Sequence, residues 1–587
     1  WVCYMKLRYA SLKLVGLLSL VGVSPLVNAA GPDAGDILRQ QQELDRFKAL
    51  PKNVPKAVKT ETPKSVDQKP VVKILVRGFR FEGDLKSVPE DKLQWLVQEF
   101  IGKDLSFDEI QQAVARINDY YLAQGFFIAK AILPKQEVVD GIIVIQINEG
   151  KLDSKNPYKI KKGDGSQDLR IKESRIGAYL DSALDGRVYQ PDLERGLLNI
   201  ADNPGVSATA SVEAGEETGS SRLLVEVVEG PIFDGSITAD NFGSPYTGVY
   251  RLTGVANLNN LSGYGDQLSL NAIQAPGEVF NMGKVAYSLP IGSDGLRATM
   301  AYTYLNFHLG GAMATNPAST GLSHNVNFAL RYPIYRTALS ALYWSGTYDW
   351  KSMYNEATGV VSGDKRVNVF GTSLTAENTD TFLAGGFTQA QIGLAHGRLD
   401  LSRYAQGLID DQGDTGPQTN GGYSKTTAQL LRIQRIDERF SLQVLAAGQL
   451  SQKNLDGSEK FSLGGPAGVR AYPGGEGTGD HGFKVGVDLK YALATGTVVG
   501  DIVPSLFYDY GRIRQNHDVM NISMTTPNTY GLSGWGLAME FVAAGKYTVK
   551  ATWAKAIGSN PGVSATGTNS DGKSNTSRIW VIGNISF

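Results

Sequence analysis

From about residue 235 to residue 587 the chain repeats one unit, roughly ten or more residues of alternating character followed by a turn or loop. In 296–304, Leu296, Ala298, Met300, Tyr302 and Tyr304 share one face, while Arg297, Thr299, Ala301 and Thr303 take the other. In 546–553, Tyr547, Val549, Ala551 and Trp553 oppose Lys546, Thr548, Lys550 and Thr552. Period-two alternation means a strand whose two faces meet different solvents. Strands of soluble sandwiches average about five or six residues, whereas a tilted strand crossing a bilayer needs about ten. Sixteen such segments start near residues 235, 248, 266, 281, 296, 321, 337, 365, 385, 422, 439, 482, 501, 529, 546 and 577. Even-to-odd joins are short (291–295, 435–438, 543–546). Odd-to-even joins are long, polar and rich in Gly, Asn and Asp (401–421, 451–481, 516–530, 558–577). The expected fold is therefore a transmembrane β-barrel of sixteen antiparallel strands over 233–587, with short periplasmic turns and long outer loops. Its last strand carries Ile579, Val581, Ile585 and Phe587 on one face, and the terminal Phe587 is the expected assembly signal.

Length alone calls for further domains in a chain of 587 residues. Lys+Arg 57 against Asp+Glu 58 leaves a net charge of −1 without a long single-sign run, which argues against a nucleic-acid partner. Residues 1–29 read as a secretory signal peptide with a few upstream residues. Lys6, Arg8 and Lys13 precede an apolar run over 14–27, and the small residues Ala29 and Ala30 follow. The one cysteine, Cys3, lies in this segment, so neither a disulfide scaffold nor a Cys-ligated metal is expected in the exported part. No later apolar run reaches the roughly 18 residues of a membrane helix.

Between signal and barrel lie four expected pieces. Residues 30–50 hold a mostly polar helix (33–50) whose thin apolar stripe, Ile37, Leu44 and Phe47, suits little burial against a core. Residues 51–70, with Pro51, Pro55, Pro63 and Pro70, read as an extended linker. Two α+β modules follow, 71–151 and 152–232. The first is expected as a strand over 71–81, helices over 90–100 and 107–124, and strands over 126–133 and 141–148. The second repeats the order, with helices near 172–182 and 190–201 and strands over 206–213 and 221–228. Both end in Glu-Gly, at Glu149-Gly150 and Glu229-Gly230, so they form an internal repeat. Neither shows a catalytic cluster.

Two motifs in the barrel half are more specific. Residues 463–472 read Leu-Gly-Gly-Pro-Ala-Gly-Val-Arg-Ala-Tyr, and 507–511 read Phe-Tyr-Asp-Tyr-Gly. With them the chain resembles, over its whole exported length, the outer-membrane transporters of two-partner secretion, of the haemolysin and filamentous-haemagglutinin type. The modules are similar to POTRA domains, the helix at 33–50 to that family's plug helix, and the two motifs to its V-R-G-Y and F-x-D-x-G signatures. The resemblance implies a loop folded back into the lumen, with Gly464, Gly465, Val469, Arg470 and Tyr472 forming a latch against Phe507, Asp509 and Gly511 of the wall. Alternation puts Asp509 in the lumen if Tyr508 and Tyr510 face lipid, and a lumenal acid needs a cation. Ala471 departs from the family's Gly, which raises the question of whether positive φ is needed there.

The resemblance further implies that the modules capture an unfolded, large secreted partner protein in the periplasm and that the barrel releases it outside. Outer-membrane lipid, the barrel assembly machinery and periplasmic chaperones are the other expected partners. An exposed edge strand can template an extended chain, and Phe126, Phe127, Ile128 and Ile132 are the candidate edge. No phosphate-binding G-x-x-x-x-G-K-[ST] is present, and no cofactor or metal is expected. The alternative within the superfamily is an assembly factor that inserts barrels. An enzyme is not expected, because His308, His324, His396, His481 and His517 sit in no catalytic motif.

Overall fold

The computed structural model describes residues 31–51, 73–83, 85–163, 168–184, 188–217, 220–519, 522 and 524–587. The expected signal peptide and almost all of the expected linker lie outside the described residues.

Sixteen antiparallel strands close into a barrel. In chain order they are Phe233–Asp240, Arg251–Asn259, Gln267–Ala275, Phe280–Pro290, Arg297–His308, Thr320–Arg336, Ser340–Ala357, Val360–Asp380, Gly386–Asp400, Gly421–Arg435, Phe440–Ser451, His481–Tyr491, Gly500–Arg514, Thr529–Ala543, Tyr547–Ile557 and Ser577–Ser586. A short piece, Ala494–Thr497, continues the twelfth against the thirteenth. The last strand closes on the first over Ser236↔Ser586 to Asp240↔Ile582, and Gly235 and Phe587 add a reciprocal backbone pair. Phe587 packs on Phe233 with ring centroids 5.9 Å apart, so the terminal aromatic finishes the seam.

Alternation sorts the wall. Met300, Tyr302, Tyr508, Tyr510, Trp553, Ile579 and Ile585 are exposed on the outside, whereas Thr303, Asn325, Lys351, Asp488 and Asp509 are buried inside. Two odd-to-even connections are shorter than the expected pattern, the third-to-fourth over 276–279 and the seventh-to-eighth. The eighth strand begins at Val360 rather than near 365, and only Thr358 (φ 51°) and Gly359 (φ 79°) separate it from the seventh. Two positive φ values make the tight hairpin turn that matches strand twist, so this ladder extends where a loop was expected.

In the first module, Gly78–Gly83 pairs in parallel with Ile142–Asn148, which pairs antiparallel with Lys130–Ile132. Helices Glu90–Val97 and Phe107–Ala123 pack Leu93, Ile110, Ile117 and Tyr121 onto Ile143, Ile145 and Ile147. Ser106 and Glu109 form a capping box at the second helix. The strand expected over 71–81 is broken at Arg77: Lys73–Val76 pairs instead with Lys103–Ser106, the extended stretch between the helices.

The second module places Ser220–Glu229 between Tyr158–Lys162 and Val206–Ala214, beneath helices Glu173–Ala183 and Gln190–Ala201. The repeated Glu-Gly ending has a physical reason. Glu149 accepts from the Ser87 backbone N–H (2.7 Å) and Ser87 Oγ (2.8 Å), and Glu229 accepts from the N–H groups of Arg170 (3.0 Å) and Ile171 (2.9 Å). Each carboxylate thus satisfies the chain just ahead of its own module's first helix.

The second module docks on the even-to-odd turns. Arg297 Nη2 donates to Asn203 Oδ1 (3.1 Å) and the Gly265 carbonyl (3.0 Å), Arg175 donates to the Gly292 carbonyl (2.7 Å), and the Ala338 N–H donates to Glu194 (2.6 Å). These contacts mark the short-turn end of the barrel as the module side.

Candidate functional site: the lumenal loop and helix

The segment 452–480, joining strands eleven and twelve, folds back into the barrel. Its turn is tight because Gly465 takes φ 110°, and at Gly464 a Cβ would stand 2.4 Å from the Pro473 carbonyl oxygen. Gly464 bridges to Val469, and Leu463, Val469, Ala471 and Tyr472 bury against Phe507, Leu532 and Ala554 of the wall.

Arg470 is the centre of this contact. Its backbone N–H and Nε each donate to Asp509 Oδ2 at 2.9 Å, and Nη2 donates to Asp509 Oδ1 at 2.7 Å. Nη1 and Nη2 donate to the two Asp488 oxygens at 2.7 and 3.2 Å. The guanidinium lies 3.5 Å from the Phe507 ring centroid, and Trp580 Nε1 donates to the Arg470 carbonyl at 2.7 Å. The three signature residues of the F-x-D-x-G segment, Phe507, Asp509 and Gly511, all face the loop. Phe507 stacks, Asp509 accepts, and Gly511 leaves the space into which Leu463 projects, since a Cβ there would fall 2.7 Å from Leu463 Cδ2. The acid expected to stand alone has a second beside it. Asp488 comes from the twelfth strand, where Gly486 pairs with Asp509 and Asp488 with Phe507. The signal for Asp488 was its place on the inner face of His481–Tyr491. Trp580 had none.

Ala471 is not among the residues with positive φ, so this backbone needs no glycine. Room for its methyl comes from the wall, where a Cβ on Gly534 would stand 2.7 Å from Ala471 Cβ. Gly534→Ala is expected to lower the midpoint of heat-induced barrel unfolding by overpacking worth about 1–3 kcal/mol. Adding Ala471→Gly should restore it. An unchanged midpoint in Gly534→Ala would show that the two sites do not press on each other.

The N-terminal helix, Ala34–Ala49, crosses the lumen. Asp33 caps it by accepting from the Asp36 N–H (2.8 Å), and Arg46 and Lys48 sit in its last turn, where the helix dipole favours cations. The apolar stripe buries more than expected. Ala34, Ile37 and Leu38 enter a wall cluster with Phe280, Leu305, Phe307 and Met353, and Leu44 is also buried, while Phe47 is half-buried. Polar contacts hold the rest: Ala34 N–H to Asn355 (2.9 Å), Arg251 to Gln41 (2.9 Å), and Lys48 to Asp240 (3.0 Å). Helix and loop also meet each other. Lys365 bonds both Asp33 (2.6 Å) and Asp456 (2.8 Å), and Arg39 Nε donates to the Gly457 carbonyl (2.9 Å). Beside them Glu459 of the loop bonds Lys351 (2.7 Å) and Lys425 (2.8 Å) of the wall.

The strand expected over 126–133 is only Lys130–Ile132, at the edge of its sheet with Ile132 exposed. Phe126, Phe127 and Ile128 form a turn instead. Gly125 enters it at φ 89°, Phe126 packs on Tyr189 at 5.3 Å, and Phe127 and Ile128 pack on the second module's core. Joining the two modules consumes their apolar surface. Of the histidines, His481 and His517 lie together, 2.8 Å apart at the base of the lumenal loop.

Comparison with known proteins agrees with this architecture. Residues 219–540 match the family described as haemolysin secretion/activation protein ShlB/FhaC/HecB, and 74–150 match the ShlB-type POTRA domain. The heme/hemopexin transporter protein HuxB of Haemophilus influenzae (strain 86-028NP) is 25% identical over 561 residues, covering 95% of this chain and 97% of its own. The hemolysin transporter protein ShlB of Serratia marcescens is 24% identical over 436 residues, covering 70% and 71%. The solved structure of CdiB from Escherichia coli shares the fold, with a TM-score of 0.69 at 18% identity over 95% of this chain and 100% of that one. CdiB from Acinetobacter baumannii gives 0.62 at 16% identity, over 94% and 97%. A closed barrel in the outer membrane, two periplasmic modules of which the second docks on its turns, and a family match over more than half the sequence lead to one assignment: the chain belongs to the haemolysin secretion/activation protein family, the outer-membrane transporters of two-partner secretion.

Proposed function

We propose that this transporter takes up its unfolded partner at the periplasmic modules and passes it through the lumen once the helix at 34–49 has withdrawn and the loop at 452–480 has shifted, with Arg470 as the latch. The observation that carries the reading is the lumen itself. Helix and loop meet in it through Lys365 and Arg39, so both stand in the space a partner chain would use. Beside two separate apolar clusters, many of their contacts are polar, the kind that water and a passing chain can replace bond by bond.

On this reading Lys130–Ile132, with Ile132 exposed at the sheet edge, is where an extended partner adds its first strand. Direction comes from folding of the partner outside, since the chain carries no nucleotide-binding loop. The barrel assembly machinery inserts the transporter, and periplasmic chaperones keep the partner extended. The relatives matching over 95% of the chain are named for haem and hemopexin, which favours a cargo of that class.

Deleting the gene is expected to trap one large secreted protein in the periplasm, identified by comparing culture supernatants. A general fall in outer-membrane proteins instead would favour the assembly-factor alternative. Haem binding by the trapped protein tests the cargo class separately.

A further inference from the structure

The outward face of strands eight to eleven holds a groove of about 470 Å³ that the transport reading does not use. Its position follows from register. Phe370 pairs with His396, His396 with Ser424, and Thr426 with Leu450, so all five lie on the lipid side. Phe370, Leu394 and Leu450 are exposed and stand out as walls, while Ser424 and Thr426 are short and form the floor. The lower part of the trough thus has apolar walls over a floor of short side chains.

Its upper rim is polar and basic. His396 Nδ1 bonds Ser424 Oγ at 2.9 Å, which fixes the ring and leaves Nε2 free, and Gln452 lines the rim opposite. Two residues further toward the outer loops, about 7 Å along the strand, comes Arg398. Arg398 is exposed and forms no ion pair among the described residues. Of the nearby carboxylates, Asp364 pairs with Arg403 (2.8 Å), and Asp400 accepts from the Ser402 N–H (3.0 Å) and faces both Arg366 and Arg398, so one carboxylate stands against two guanidinium groups. Gly422, across from Arg398, has no side chain to cover it.

We propose that this groove binds one phosphorylated glycolipid of the outer leaflet, with an acyl chain between Phe370, Leu394 and Leu450 and a phosphate against Arg398 and His396. The second module sits on the opposite end of the barrel, so the 400 end of the ninth strand faces the cell exterior. The excess of guanidinium charge just above an apolar band there matches a membrane anion, and the planar fork of Arg398 suits phosphate better than a lysine would. The inference rests on the outer-membrane placement and not on the transport mechanism.

The test uses the full-length protein purified in detergent, with bisphosphorylated lipid A and its dephosphorylated form as probes. Native mass spectrometry reads retained lipid, and heat-dependent mobility on gels confirms a folded barrel. The wild type should retain one bisphosphorylated lipid. His396→Ala/Arg398→Glu should retain at least tenfold less, and Arg398→Gln should fall between. Lys555→Glu, at an exposed lysine on the fifteenth strand, should match the wild type. Equal retention by the folded double variant, or equal retention of the dephosphorylated lipid by the wild type, overturns the proposal.

Discussion

Arg470→Ala is expected to abolish export while leaving a folded barrel in the outer membrane. The substitution removes four hydrogen bonds donated by the guanidinium, one cation and one ring contact, and leaves only the backbone N–H bond to Asp509. More important is what remains. Asp488 and Asp509 would be two buried carboxylates without a cation between them, and breaking a buried pair in this one-sided way costs roughly 3–5 kcal/mol. At about 1.4 kcal/mol per tenfold, that shifts the loop's seated population by roughly two to four orders of magnitude. The barrel itself should survive, because its ladders do not pass through Arg470. Secretion assayed in culture supernatant and heat-dependent gel mobility measure the two halves of the prediction. Normal secretion by a folded Arg470→Ala barrel would end the latch.

Two further variants separate charge from geometry. Arg470→Lys keeps the charge, but an ammonium cannot fork onto two carboxylates and stack on Phe507 at once, so export should stay low. Asp488→Asn and Asp509→Asn added to Arg470→Ala remove the orphan charges. That triple variant should regain thermal stability without regaining export, since the loop then has no directional hold on the wall.

What was legible in the sequence follows from where the physics is local. Each barrel strand meets lipid on one side and the lumen on the other, so Leu296 to Tyr304 announces its own face at every second residue. The pairing of Arg470 with Asp509 was legible through motif resemblance. Asp488 was not, because several inner-face acids alternate equally well, and only the register between strands twelve and thirteen decides which one meets the arginine. The helix at 34–49 was legible as a helix but its burial was not: amphipathicity is judged against an apolar core, and most of its surroundings are the polar side chains of a barrel interior. Phe126 to Ile128 read as strand because the run is apolar. Its real task is to join two modules, a tertiary demand that propensity does not record.

A disulfide between Gly35→Cys and Ser458→Cys is expected to stop export in oxidising medium and to let it resume on reduction. A Cβ on Gly35 would stand 2.8 Å from Ser458 Cβ, about 1 Å short of the separation a disulfide prefers, so the helix start and the loop need part only slightly to accept it. Nothing competes for the new thiols, since Cys3 is the chain's one cysteine and lies in the expected signal segment. The loop is tied at both ends to the wall, by Ser451 of strand eleven and His481 of strand twelve, and cannot follow the helix out of the barrel. A helix bonded to it is therefore held in the lumen, whatever happens at Arg470. Lys365, which bonds Asp33 and Asp456 at the same point, holds the two together through hydrogen-bonded ion pairs that can be exchanged; the covalent link cannot. Secretion before and after a mild reductant, with the oxidised bond confirmed on non-reducing gels, gives the answer. Export at the wild-type level from fully oxidised protein would mean that the helix need not part from the loop, and that the partner's path through this barrel runs beside both.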